Sequence, residues 1–175
     1  MNKIQPTDVE IVMREDDFIV SKTDLKGIIT YTNRTFIEFA KYDESELIGV
    51  NHNIIRHPSM PRVVFKLLWD TIQTGNEINA YVKNLSKDGS FYWVLANITP
   101  VTNSNGKPVG YYSVRRKPNR ETLKIIEGLY ATLLKEEQKF EKENKKNEGM
   151  VASAAILENL LNEKGMSYDE FILSI

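Results

Sequence analysis

The chain of 175 residues contains no cysteine. That excludes disulfides, thiolate metal sites and cysteine nucleophiles. It has only two histidines, so little imidazole is available for metal binding or acid–base work. Charge of one sign is also missing: 23 Lys+Arg stand against 24 Asp+Glu, a net charge of -1. A near-neutral chain has no electrostatic footprint for nucleic acid. No apolar run approaches the roughly 20 residues needed to span a bilayer, and Met1 to Asp8 has no signal-peptide pattern, so a soluble cytoplasmic protein is expected. Phosphate-binding glycine loops, GxSxG and HExxH are absent as well, and an enzyme is not expected.

What is present is enough for a core: 41% of residues are hydrophobic, and the length suggests one domain with an appendage. Phe18 to Thr23 and Gly27 to Thr32 read as two strands joined by a turn at Asp24 to Gly27. Asn33 can cap a short helix carrying Phe36, Ile37 and Phe39, and Asp43 another that Gly49 stops. Arg62 to Thr74 has helical apolar spacing ended by Gly75. Three further strands follow, Ile78 to Leu85, Ser90 to Val101 and Val109 to Arg116, turning at Lys87 to Gly89 and Asn103 to Gly106. This order predicts an α+β fold: one five-stranded antiparallel sheet with short helices on one face.

From Asn119 onward the pattern is helical. Lys135 to Glu148 interleaves five Lys with five Glu and reads as a solvated helix face, broken by Gly149. Met150 to Lys164 reads as an amphipathic helix stopped by Gly165, and Ser167 to Glu170 is a capping box opening a last turn. The expected division is an N-terminal segment 1–16, a core domain 17–117, a charged helix 118–148 and amphipathic helices 149–175. A tail this apolar must dock, on its own core or on a partner.

The most informative segment runs from Asn51 to Pro61. Both histidines lie in it, beside Asn51 and Arg56 respectively, and Pro58 and Pro61 fix the backbone so that its side chains point in set directions. Taken alone, the segment also fits an ordinary helix-start loop with solvated side chains.

The order of elements resembles a PAS sensor domain. The strings Ile28 to Phe36, Glu46 to Gly49, Asn51 to Pro61, Val82-Lys83-Asn84 and Lys87 to Asn97 are similar to the PAS domain of Aer-type aerotaxis receptors. The resemblance covers about Phe18 to Arg116. It implies a PAS fold with a C-terminal helical extension, non-covalently bound FAD, and a redox signal for aerotaxis or energy taxis. The size resembles the stand-alone, CetB-like half of split energy-taxis sensors. That implies a partner, a membrane-anchored HAMP and methyl-accepting signalling protein that would bring the chain to the inner face of the membrane, and a capacity to form a homodimer. Carried over residue by residue, the resemblance puts Arg56 and His57 first as flavin-binding candidates, then Asn33, Trp69, Lys83, Asn84, Tyr92, Trp93 and Asn97.

Residue chemistry supports part of this set. A pyrophosphate needs cations or helix N-terminal amides, and Arg56 stands where the proline-fixed loop enters a helix. Asn84 and Asn97, on adjacent strands, supply amides suited to a ring edge. Asn33 reads more simply as a helix cap, Trp69 fits core packing as well as cofactor contact, and Asn84 also fits a turn residue before Lys87 to Gly89. Tyr92 and Trp93 alternate, so only one of them can face a pocket. Two positions differ from the family pattern: Ser59 replaces an Asp and Ile78 a Trp. They favour a second reading, a ligand-free interaction or dimerisation module. A third is a haem sensor with His52 or His57 as axial ligand. Flavin–cysteine photochemistry is excluded by the missing thiol.

Overall fold

Side-chain caps decide where most of the helices begin. In the computed structural model, which describes residues 4–175, Asn33 Oδ1 accepts from Phe36 N at 3.0 Å and starts α1 (Arg34–Ala40). Asp43 and Glu46 form a reciprocal box that starts α2 (Glu44–Leu47). Asn119 takes Glu121 N at 2.8 Å and opens α4 (Arg120–Glu141). Ser167 and Glu170 box α6 (Tyr168–Ser174). Each satisfies backbone donors that a helix start otherwise leaves without partners. Of the expected N-terminal segment 1–16, the first three residues lie outside the described residues.

Five strands form one antiparallel sheet in the order β2-β1-β5-β4-β3: β1 (Ile19–Thr23), β2 (Ile29–Thr32), β3 (Ile78–Leu85), β4 (Phe91–Thr102) and β5 (Pro108–Arg116). Register and pleat define two faces. Ser21 pairs with Ser113, Arg115 with Ala96, and Asn84 with Tyr92, and all of these face inward. Against that face lie α1, α2, α3 (Arg62–Gln73) and a 3₁₀ turn at His52–Ile55, as expected of the core.

The extension covers the opposite face. Tyr130 of α4 donates to Tyr81 O at 2.9 Å, and its ring lies 6.3 Å from that of Trp93. Leu123, Ile126, Leu133, Phe171 and Ile172 are buried. The tail therefore docks on its own core. It also covers part of the free edge of β3, where Asn79 N donates to Asp169 Oδ1 at 2.8 Å; further along that edge Lys83 N approaches Sδ of Met60, in the turn before α3, at 3.3 Å. Side chains thus satisfy backbone groups that an edge strand would leave open.

Two expectations for the tail are corrected. The helix breaks at Asn144, where φ is 59°, and α5 spans Lys146–Lys164, so Gly149 lies inside it. A Cβ at Gly149 would meet Glu137 O at 2.9 Å, so the glycine permits close approach of α4 and α5. The charged run is also not wholly solvated. Glu137 is 7% exposed and accepts from Arg62 N at 2.8 Å and Val63 N at 2.9 Å. It caps α3, whose N-cap residue Pro61 offers no side-chain acceptor.

Candidate functional site

The turn that precedes α3 is held from several sides. Asn51 Oδ1 accepts from Asn53 N at 3.0 Å, its Nδ2 donates to Lys26 O at 3.1 Å, and His52 N donates to Gly27 O at 2.9 Å. Gly27 has φ +78°, and a Cβ there would lie 3.1 Å from the Trp69 ring. Residue 27 must therefore lack a side chain for the β1–β2 turn to sit beside Trp69. Further along, Arg56 forms an antiparallel bridge with Asn84 and its guanidinium donates to Met60 O at 3.2 Å.

Between sheet and helix these elements enclose a cavity of about 530 Å³. That size falls in the roughly 300–1,000 Å³ range of small-molecule sites. Phe65, Leu68, Trp69 and Ile72 of α3 form one wall; Val82, Ala96 and Ile98 form the other. Arg56, Arg62 and Lys66 bring cations to the lining, together with Met150 of α5. Tyr111 meets Trp69 edge to face at 5.6 Å. The result is an apolar slot bordered by polar groups.

Several of those polar groups lack partners. Asn84, 4% exposed, has a buried Nδ2 with no acceptor, and Ser113 Oγ is likewise unpaired. Arg115 Nη2 donates to Ser21 Oγ at 2.7 Å and to His52 Nε2 at 2.7 Å, while its Nη1 has no partner among the described residues. Because arginine can only donate, His52 Nε2 is the acceptor and its proton sits on Nδ1. Burial, followed by the charge of Arg115, holds His52 down at about 3, and burial pulls Arg115 down to about 10. At neutral pH the pair is a neutral imidazole beside a guanidinium cation.

The structure brings together Arg56, Trp69 and Asn84 from the sequence candidates, with His52 of the haem reading. His57 is elsewhere. It is 6% exposed, its Nδ1 accepts from Ser59 N at 3.1 Å, and its ring meets Phe91 edge to face. Burial, then the nearby Lys83, pushes it down to about 4. Lys83 and Trp93 lie on the outer face, Lys83 Nζ standing 3.8 Å from the Phe91 ring centroid. Asn97 also faces outward, where it lines a separate cavity with Phe18 and Arg116. The pleat therefore places Asn84 and Asn97 on opposite faces, which corrects the expectation that both amides serve one ring. Tyr92 faces inward but packs against Phe39 behind the cavity wall. Asn33 caps α1 and binds Val20 N at 3.0 Å.

For haem, the imidazole nitrogen of His52 nearest the cavity polar groups is already held by a cation, which opposes iron ligation. His57 does not line the cavity. Sequence reasoning missed Ser21, Ser113 and Arg115. The available signal was phase: Arg115 alternates in step with Tyr111 and Ser113, so the pleat turns a cation inward.

A five-stranded antiparallel sheet with short helices over one face and a ligand-sized cavity between them is the PAS fold. The PAS fold family model matches residues 29–115 of the chain. The aerotaxis receptor of Escherichia coli (strain K12) is 39% identical over 121 residues, covering 69% of this chain and 24% of the receptor. The nitrogen fixation regulatory protein of Klebsiella pneumoniae is 29% identical over 97 residues, 55% of this chain and 20% of that protein. The match thus spans a quarter or less of these relatives. The dark structure of the blue-light photoreceptor Aureochrome1 LOV superposes with a TM-score of 0.51 at 26% identity, covering 71% of this chain and 86% of that one. Among the described residues no helix is long and apolar enough to cross a membrane.

Proposed function

We propose that the cavity holds a flavin, FAD as the aerotaxis-type resemblance implies, and that the protein is a redox sensor rather than an enzyme. The observation that carries this reading is the apolar slot bordered by an amide nitrogen, Asn84 Nδ2, and a guanidinium nitrogen, Arg115 Nη1, that have no partner among the described residues. Buried polar groups are ordinarily paired, so their natural complement is a flat ligand with an acceptor-rich edge. A flavin supplies reversible electron transfer and a ring edge whose hydrogen-bonding character changes on reduction.

Asn84 is the residue placed to read that change. Its amide can offer either an oxygen or an NH₂, and exchanging them is worth about 0.5–1.5 kcal/mol per hydrogen bond. That matches the roughly 1–3 kcal/mol typical of coupled sites. From Asn84 a continuous set of contacts leads outward: the bridge to Arg56, the Arg56 bond to Met60 O, and the Glu137 cap on α3. We place the output in α4 and α5, read by a separate membrane-anchored signalling protein of the HAMP and methyl-accepting type.

An absorbance spectrum of the purified protein before and after dithionite tests the reading. Flavin bands that bleach on reduction are the expected result. A Soret band would replace it with haem. A protein that stays colourless after incubation with FAD would replace it with a ligand-free interaction module.

A further inference from the structure

A fully buried cation is normally paired with an anion. Arg115 is 4% exposed and lines the cavity, yet both partners of its Nη2 are neutral and its Nη1 has none among the described residues. Each element packed against it can be checked. β1 offers the Ser21 hydroxyl, the 3₁₀ turn offers neutral His52, α1 offers the Phe36 ring at 5.2 Å, and β4 offers Tyr92, whose phenol is unpartnered and raised by burial. The other charged groups of the lining, Arg56, Arg62 and Lys66, are cations too. Arg62 and Lys66 have their own carboxylates in Glu141 and Asp70. Among the described residues Arg115 has no such partner. Ser21 and His52 hold it in place while leaving its charge uncompensated.

We propose that Arg115 is the anion-recognition group of the cavity, and that it makes the site prefer a flavin reduced to a single negative charge over the neutral oxidised one. The inference rests on the flavin reading above and gives a specific role to the guanidinium that helps carry it. The balance is as follows. Two electrons come from an outside donor, dithionite in the test below. One proton is taken from solvent at ring N5. The second proton that would neutralise the reduced ring is not taken up, and the remaining charge is met by the guanidinium. A fixed cation beside a ring that gains charge shifts the equilibrium toward the charged form.

The first test uses the unaltered protein. Its flavin midpoint potential, followed against pH in the neutral range by spectroelectrochemistry, should fall by about 30 mV per pH unit, the slope of one proton per two electrons. A slope of about 59 mV per pH unit means two protons and overturns the proposal. The second test compares Arg115→Met with Arg115→Lys, titrating oxidised and dithionite-reduced flavin separately without oxygen. Arg115→Met should weaken the reduced form at least tenfold more than the oxidised form, lowering the potential by at least about 30 mV. Arg115→Lys, which keeps the charge, should recover most of that difference. Equal weakening of both forms, no weakening, or loss of oxidised flavin as well would show a structural group and overturn the proposal. A wild-type protein that binds no flavin fails the underlying reading, and this inference with it, which separates the two kinds of failure.

Discussion

At the scale of single residues, the pleat decides which of two similar amides matters. Asn84 stands in the cavity wall with an unpaired Nδ2, whereas Asn97 stands on the other face, where it donates to Asn79 Oδ1 at 3.3 Å. Asn84→Leu should weaken flavin retention about tenfold, or about 1.4 kcal/mol, while Asn97→Leu should leave it unchanged; equilibrium dialysis against FAD checks both. Equal loss in the two variants would refute the assignment. The histidines make a separate prediction. Both are held below their ordinary value of 6.5 in the folded protein, His52 at about 3 and His57 at about 4. Protonation therefore favours the unfolded chain. Their stabilisation is complete above pH 6.5 and is lost as pH falls toward those values, by at most about 1.4 kcal/mol per pH unit for each. Urea midpoints should drop on acidification through that window, and His57→Gln should flatten the drop. Sequence alone could rank Asn84 among candidates because its string, Val82-Lys83-Asn84, is similar to a known pattern. It missed Arg115, since a strand cation is ordinarily solvent-facing and the phase it shares with Tyr111 and Ser113 becomes decisive only with the register.

Among the elements, α3 depends on a distant residue for its start. Glu137 supplies both oxygens to its first amides and accepts from Ser153 Oγ at 3.1 Å, joining α3, α4 and α5 at one carboxylate. Glu137→Ala leaves these buried donors without an acceptor and should cost about 2–3 kcal/mol in urea unfolding, with Glu137→Gln losing roughly half. A loss below about 0.5 kcal/mol would place the group among neutral surface positions. Gly149→Ala sets two effects against each other. Alanine improves helix propensity by about 1 kcal/mol, but overpacking costs about 1–3 kcal/mol. The obstacle is the Glu137 carbonyl at 2.9 Å, backbone that cannot turn aside, so net destabilisation is expected. The limits of β3 and the caps at Asn33, Asp43 and Ser167 were legible because turn and cap chemistry is local. The role of Gly149 was not, because a glycine that ends a helix and one that admits a neighbouring helix look alike in sequence. Glu137 was hidden for the same kind of reason: its partners are 74 and 75 positions away.

For the whole molecule, the extension and the core form one folded unit. Tyr130 of α4 meets Trp93 and Tyr81, Asp169 of α6 holds Asn79, and Met150 of α5 reaches the cavity lining. A fragment ending at residue 118 keeps all five strands but bares the outer face. It should melt at lower temperature and bind a hydrophobic dye, and an unchanged melting temperature would show that the extension is only tethered. The same cover hides an open strand. Asp169 occupies the β3 amide at Asn79, and Tyr130 occupies the Tyr81 carbonyl. Greasy surface would therefore not suffice for any protein that lifts the extension away. It would have to present its own row of donors and acceptors in register with β3, or leave behind a template on which a second copy of the domain can zip.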